Sequence, residues 1–448
     1  MNYQINPQLS AEEFNKKYKI NKEFAAKLVF SENSKSSNSI AGKPKILAIE
    51  ILKRFFSNPV VLISTIVFLG IIITAIVVKY TSPYLPGHRL DAEWKAKGYQ
   101  ITGTSLNSIK SMPPSFAPMK EFTGRNNEVI VNINRFTSKD YIFYEYLKPY
   151  LIEGKTYIID PASDSQNPIY KVDIYKYWQA SEINAFMAKL RKETSHPFNL
   201  TKGELDGFYL QAKDALDQVS ITTVFGTTEE GYDIWTTVWA GTLESLWIAL
   251  IVATVETIIG VFVGAILGFY AGKWIDTVFS RLIEIFQAPP SIIWLLMFVS
   301  IWGTSAPVLI AGLLFVGWTY PISSTRLFII TVKDEEYITA AKSIGASPMR
   351  RIFDHALPAV VGKISQSYVR RIPSVIISIA SLAFLGFFND PNSYNLGKFM
   401  LDNISLASIN PWVMILPASI LLFISISLQF VALGLHDALD PKVIKLKK

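Results

Sequence analysis

A chain of 448 residues with 50% hydrophobic positions, a positive mean hydropathy and only 18% charged side chains is too apolar and too long for one ordinary soluble domain, so an integral membrane protein is the class to test. Cysteine is absent, which excludes disulfides, zinc–thiolate sites and a cysteine nucleophile. The net charge of +7 comes mainly from lysines and arginines beside apolar runs, where such residues mark the cytoplasmic side, and so points to topology rather than to nucleic acid.

In chain order, residues 1–52 read as a cytoplasmic N-terminal tail. A Ser/Asn/Lys stretch fills Ser31–Ser39, and the short apolar core and small-residue cleavage site of a secretory signal are missing. Lys53 and Arg54 lead into an apolar run from Val60 to Val78, so residues 53–80 are expected to form a first transmembrane helix that also targets the chain to the membrane. Residues 81–236 are mixed in charge and too long for a turn between helices, and are expected to form an inserted extracytoplasmic α+β module. Within it Glu128–Phe136, Thr156–Ile159 and Tyr170–Trp178 have strand composition. Ser181–Lys192 and Thr201–Gln218 read as helices with Ser and Thr at their N-caps, and Pro113-Pro114 marks an irregular stretch.

Further apolar runs at Leu243–Tyr270, Ile283–Trp302, Ala306–Pro321, Ile372–Phe388 and Trp412–Leu433 bring the count to about six transmembrane helices, five of them in a core over 237–434. An even count puts both termini on one side. Arg326, Lys333, Lys342, Arg350, Arg351, Lys363, Arg370 and Arg371 crowd the 323–371 loop, whereas the segment between the last two spans offers only Lys398. With Lys442, Lys445, Lys447 and Lys448 in a C-terminal tail over 435–448, both termini and the 323–371 loop are expected in the cytoplasm. The fold class expected is therefore an all-α membrane protein with an inserted α+β module.

The 323–371 loop carries its own amphipathic pattern. Tyr337, Ala341 and Ile344 share a helix face, Ala340 and Ala341 permit close approach of a partner, Gly345 allows a turn, and Pro358 is expected to stop or redirect a second helix. His355, before Leu357, is read as a packing or hydrogen-bonding residue. The competing reading is a helix resting on the membrane surface. In the second span Gly260, Gly264, Gly268 and Gly272 recur every four residues, a ridge for helix packing or, alternatively, for substrate contact. Glu256 sits one turn before Gly260, inside the apolar run. It reads either as a cation- or amine-attracting group on a pathway or as a protonated or hydrogen-bonded packing residue. Glu284, one turn from Arg281, needs only a local ion pair. No Gly-x-x-x-x-Gly-Lys-Ser/Thr phosphate loop occurs, and His88, His196, His355 and His436 are scattered with no His-Glu-x-x-His or nucleophile-elbow pattern, so no catalytic, metal or cofactor site of the chain's own is expected.

The run Tyr337-Ile338-Thr339-Ala340-Ala341, then Gly345, then His355 before Leu357-Pro358 resembles the ATPase-docking loop of ABC-importer permeases, whose pattern is Glu-Ala-Ala, Gly and later Leu-Pro. Thr339 stands where that family has glutamate, with Glu335 and Glu336 just upstream, so docking is expected to rest on the shape of Ala340, Ala341 and Gly345 more than on charge. Other stretches are similar to the second permease of the oligopeptide/dipeptide/nickel branch: Arg54-Phe55-Phe56-Ser57-Asn58-Pro59, Phe225-Gly226-Thr227 with Gly231-Tyr232-Asp233, Ala288-Pro289-Pro290-Ser291, Ser381-Leu382-Ala383-Phe384-Leu385-Gly386 and Gly434-Leu435-His436-Asp437-Ala438-Leu439-Asp440-Pro441. Thr228 and Tyr232 replace an acid and an arginine usual there, and the 81–236 module is an addition to the family's short outside segment.

The resemblance implies a multi-pass permease subunit of the cell membrane, not itself an enzyme, that converts partner ATPase movement into alternating access. The partners implied are a second homologous permease, one or two ABC ATPase subunits that hold ATP and Mg, an extracytoplasmic substrate-binding protein and the lipid bilayer, with no nucleic acid. Oligopeptides or dipeptides are the cargo implied. Nickel or another small solute of the same branch is the alternative, and a secondary transporter or a membrane-anchored sensor are the other classes.

Overall fold

The computed structural model describes residues 47–92, 109–164, 166–194, 197–198, 200–218, 221–387, 390 and 393–439. The tail through residue 46, His196, Phe388, Asp440-Pro441 and the tail lysines from Lys442 onward lie outside the described residues. The chain divides into two compact units, Met1–Lys53 and Arg54–Lys448. Of the first, the described part is the start of helix α1 (Leu47–Phe55).

The second unit begins with α2 (Pro59–Thr81). The Asn58 side chain accepts from Val60 N at 3.0 Å and Pro59 occupies the first turn, where its missing N–H costs nothing. The inserted module follows: β1 (Met119–Thr123), α3 (Glu128–Phe136), α4 (Tyr144–Leu147), β2 (Tyr157–Ile159), β3 (Ile169–Asp173), α5 (Ile174–Glu193) and α6 (Lys202–Asp217). The three strands form an antiparallel sheet in the order β1–β3–β2, with Phe122 opposite Tyr170 and Lys120 opposite Val172. Ile130 and Ile133 of α3, Leu147 of α4 and Val172 of β3 share one apolar core with Trp178, Ile183 and Met187 of α5.

Two assignments in the module are corrected. Glu128–Phe136 is a helix, not a strand: Asn127 caps it by accepting from Val129 N at 3.0 Å, and Ile130, Ile133 and Phe136 recur every three residues on the buried side. The strand read over Tyr170–Trp178 ends at Asp173, whose carboxylate accepts from Tyr175 N and Lys176 N, both at 3.1 Å, and so starts α5 well before Ser181. For α6, Thr201 and Glu204 form a reciprocal capping box.

The remaining helices are α7 (Ile234–Phe269), α8 (Trp274–Gln287), α9 (Ser291–Trp302), α10 (Ala306–Gly317), α11 (Tyr320–Ile330), α12 (Glu336–Ser343), α13 (Pro348–Arg350), α14 (Leu357–Phe384), α15 (Leu396–Asp402) and α16 (Trp412–Leu439), with a π-helical turn over Arg351–Ala356. Four helices among the described residues are long and apolar enough to cross a membrane: α2, α7, α10 with α11, and α16. The α8–α9 pair, bent by 71° at Ala288-Pro289-Pro290, makes five if it counts as one span. The predicted run Ile372–Phe388 lies largely in α14, whose Arg370, Arg371 and serines keep it short of that apolarity.

Helices α7, α14, α16 and α2 bury one shared apolar core, in which Ala249, Val252, Ile379 and Ala432 are fully enclosed. The module packs on the N-terminal ends of α7 and α16. Phe116 stands edge-on to Phe225 and Trp412, and Asn410 Nδ2 donates to Phe225 O at 2.8 Å. The chain segments before and after the module run side by side, with Leu90 N donating to Gly231 O at 3.0 Å and the Ser82 and Thr236 hydroxyls 2.6 Å apart.

Candidate functional site

The segment singled out from sequence folds as a short helix, a turn and a second helix entering α14. The expected 323–371 loop is narrower than its sequence range, because Arg326 lies inside α11 and residues 357–371 belong to α14. On α12, Ile338 is buried in a cluster with Ala265 of α7, Ile329 of α11, Ile352 and Ala356 of the π turn and Val360 of α14, and Ala341 is buried as well. Tyr337, Thr339, Ala340 and Ile344 face outward, Ile344 at 87% exposure. The expectation that Tyr337, Ala341 and Ile344 form one face is therefore corrected: Ala341 belongs to the anchoring side. Partial burial, and then the Glu335 carboxylate, hold the Tyr337 hydroxyl above its ordinary pKa. Thr339 turns its hydroxyl back on its own helix, toward Glu335 O at 3.4 Å.

Helix α12 ends in a Schellman turn. Ala346 N donates to Ala341 O and Gly345 N to Lys342 O, both at 3.0 Å, and Gly345 takes φ +87°, a conformation that an L side chain strains to adopt. Pro348 opens the next helical stretch, where the Ser347 hydroxyl accepts from Arg350 N at 3.4 Å. The helix then widens into the π turn that carries His355, half-buried, and passes into α14 through Leu357 and Pro358. Pro358 thus neither stops nor redirects a helix. It lies in the first turn of α14, directly after the wide turn, where its missing N–H and bulky ring are tolerated. The π turn grips α7: the Arg351 guanidinium lies 5.2 Å from the Phe269 ring, and Phe353 stacks on Phe262 at 5.5 Å.

Deeper in the helices, Gly260, Gly264 and Gly268 lie flat against α11. A Cβ at Gly260 would collide with Pro321 Cβ, at Gly264 it would stand 2.6 Å from Ile322 O, and at Gly268 2.6 Å from Arg326 O. Gly272 is not part of that ridge. It lies past the helix end at φ +84° with open space around its Cβ position, and its N–H donates to Asp276 at 3.0 Å. Glu256 is completely buried and paired bidentately with Arg371, at 2.6 Å to Nε and 3.0 Å to Nη2. Arg371 also lies 4.8 Å over the Tyr320 ring, and a Cβ at Gly317 would collide with the Glu256 carboxylate. Glu256 thus has hydrogen-bond partners on α14, through Arg371.

Sequence reasoning misses that partner. Charge counting places Arg371 and Arg326 in a loop, whereas both are helical, and Arg326 holds Asp276 through Nε at 2.5 Å and Nη2 at 2.7 Å. The signal is present as charges of opposite sign inside apolar stretches, but nothing in the spacing joins them. Glu284 pairs with Arg281 at 2.6 Å on an exposed face, as a local pair would.

Residues 260–445, which include the ridge, the coupling segment and α14, match the family described as the binding-protein-dependent transport system inner membrane component. Residues 47–97 match the N-terminal transmembrane domain of oligopeptide transport permease C. The fold and these matches define a membrane permease of an ABC importer, a multi-pass protein. Among relatives, the oligopeptide transport system permease protein OppC of Mycoplasma pneumoniae is 30% identical over 420 residues, 92% of this chain and 94% of that protein, and OppC of Mycoplasma genitalium matches over the same shares. OppC of Bacillus subtilis is 28% identical over 221 residues, 49% of this chain and 72% of that protein. The chain belongs to the OppC-type family of ABC-importer permeases of the oligopeptide branch.

Proposed function

We propose that this chain forms half of the translocation pathway of an ATP-driven importer of oligopeptides or dipeptides, and passes the movement of a separate ATPase to its own spans. The observation that carries the coupling role is the mounting of the α12 segment. Its outer side, Tyr337, Thr339, Ala340 and the Gly345 turn, is exposed, while on its buried side, with Ala341, Ile338 is fixed to α7, α11 and α14 together. A push on such a segment moves three helices at once, which is what alternating access requires. The small Ala340 beside a glycine turn suits a snug groove on a soluble subunit. His355, Leu357 and Pro358 serve as the link to α14 rather than as contact residues.

In this reading ATP and Mg sit in one or two partner ATPase subunits, a second homologous permease supplies the other half of the pathway, and an extracytoplasmic binding protein delivers cargo. Both termini and the α12 segment are cytoplasmic, and the module is outside. The test is affinity purification of the tagged chain in mild detergent, identification of the co-purifying subunits, and ATP-dependent uptake of a labelled peptide by the complex in proteoliposomes. Uptake that persists without the ATPase subunit would overturn the reading. Ala340→Trp is expected to strip the ATPase from the complex while the permease pair stays intact, because the change leaves the Ile338–Ala341 anchor untouched. Retention of the ATPase would remove α12 as the docking element.

A further inference from the structure

Helix α14 buries Val375, Ile376, Ile379 and Leu382 on one side and presents Ser367, Arg370, Arg371 and Ser374 at helical spacing elsewhere. These four line a groove of about 260 Å³ whose other walls include Tyr320 and Ser324 of α11. The two arginines are not equivalent. Arg371 is neutralised by the buried Glu256 and held by the Tyr320 ring. Arg370 lines the groove, is exposed, and among the described residues has no hydrogen-bond or ion-pair partner.

Arg370 sits near the middle of the 28-residue α14, on the order of 20 Å from either end at 1.5 Å per residue. An exposed, uncompensated guanidinium lining a groove between helices belongs to water or to an anion. The groove is smaller than the ~300 Å³ at which pockets for whole small molecules begin, so it fits one end of a longer ligand. Its donors are a planar fork and hydroxyls, the set that matches a carboxylate.

We propose that this groove is a transit site for the C-terminal carboxylate of the peptide cargo, in which Arg370 forks onto the carboxylate while Ser367, Ser374 and Tyr320 supply hydroxyls around it. The proposal rests on the peptide-import reading. One free cation beside a neutralised pair gives a site strong enough to guide an anion and weak enough to release it, as a pathway needs. Glu256 sets that balance by cancelling Arg371.

The test uses the complete complex in proteoliposomes and compares ATP-dependent uptake of trialanine with that of trialanine amide, which lacks the terminal charge. Arg370→Gln is expected to lower free-acid uptake about tenfold and to leave amide uptake near wild type, collapsing the acid-to-amide ratio, with Arg370→Lys restoring much of it. Because the binding protein is the same throughout, only the change in ratio counts. Co-elution of all subunits on size exclusion confirms that the variant assembles. An equal fall for both peptides, or an unchanged ratio, overturns the site while leaving peptide import standing. Failure of the wild-type complex to take up either peptide overturns the import reading itself.

Discussion

The inserted module and the helical core solve the packing problem in opposite ways. The module encloses aliphatic and aromatic side chains such as Ile133, Phe143, Trp178 and Met187, and finishes the job with tyrosine hydroxyls on polar partners, as where Tyr170 donates to Asn134 at 2.9 Å. Water exclusion is its driving force. The core leaves Ile63, Ile66, Ile73 and Val77 of α2 exposed and joins its helices through bare glycine ridges and the Glu256–Arg371 and Asp276–Arg326 pairs. Among lipid tails, burying one more apolar side chain gains little, so close backbone approach and polar pairing carry the association. Small residues and charges thus add to the apolar core of the helices what tyrosine hydroxyls add to that of the module.

That contrast breaks at named positions. Gly264→Leu would drive a side chain into the backbone of α11 and is expected to cost about 4 kcal/mol or more, read as loss of monodisperse protein in detergent. Survival with an unshifted melting curve would mean that the ridge does not bear the packing. Glu256→Gln leaves Arg371 without its counter-charge and should destabilise by about 3 kcal/mol in thermal unfolding. The double change Glu256→Gln with Arg371→Gln should recover more than half, since the penalty lies in the orphaned charge.

In the module the same size of effect should follow from deleting mere carbon. Ile183→Ala is expected to cost about 2–4 kcal/mol and to speed amide exchange in β3, α3 and α5 while α7 and α16 keep their protection. Asp233, the N-cap of α7 at the border of the two regions, gives the smallest effect. Burial lifts its carboxyl from 3.8 to about 6, against the pull of its Thr236 hydrogen bonds. The folded state then holds a proton that the unfolded chain has lost between those two values, so stability falls as pH rises from about 4 to about 6, by at most about 3 kcal/mol. Asp233→Asn keeps the cap and should flatten that slope in melting temperature against pH. A slope unchanged in the variant would assign it to another group.

What is legible in the sequence is local. Thr201 and Glu204 announce the start of α6 because a capping box is complete within four residues, and the apolar runs in α2, α7 and α16 announce spans by length, whereas the run read from Ile372 falls in a helix short of that apolarity. Glu128–Phe136 misleads because Val129, Ile130, Val131 and Ile133 favour strands by composition, while tertiary packing at three-residue spacing decides for helix. The coupling motif is visible as a string of small residues, but the division of labour between Ala340 and Ala341 depends on which way α12 is rotated against Ile329 and Val360. Glu256 and Arg371 are separated by 115 residues, so no periodicity could join them. The π turn is invisible because it uses ordinary helix-forming residues.

The side-by-side pairing of Leu90 with Gly231, and of Ser82 with Thr236, makes the insertion a cassette. Its two ends are stitched close together at several points, so a longer loop between them changes the spacing of α2 and α7 little, and loop closure adds only about 0.6 kcal/mol for each doubling of length. Evolution can therefore lengthen, exchange or discard the outer lobe without retuning the transport machinery beneath it.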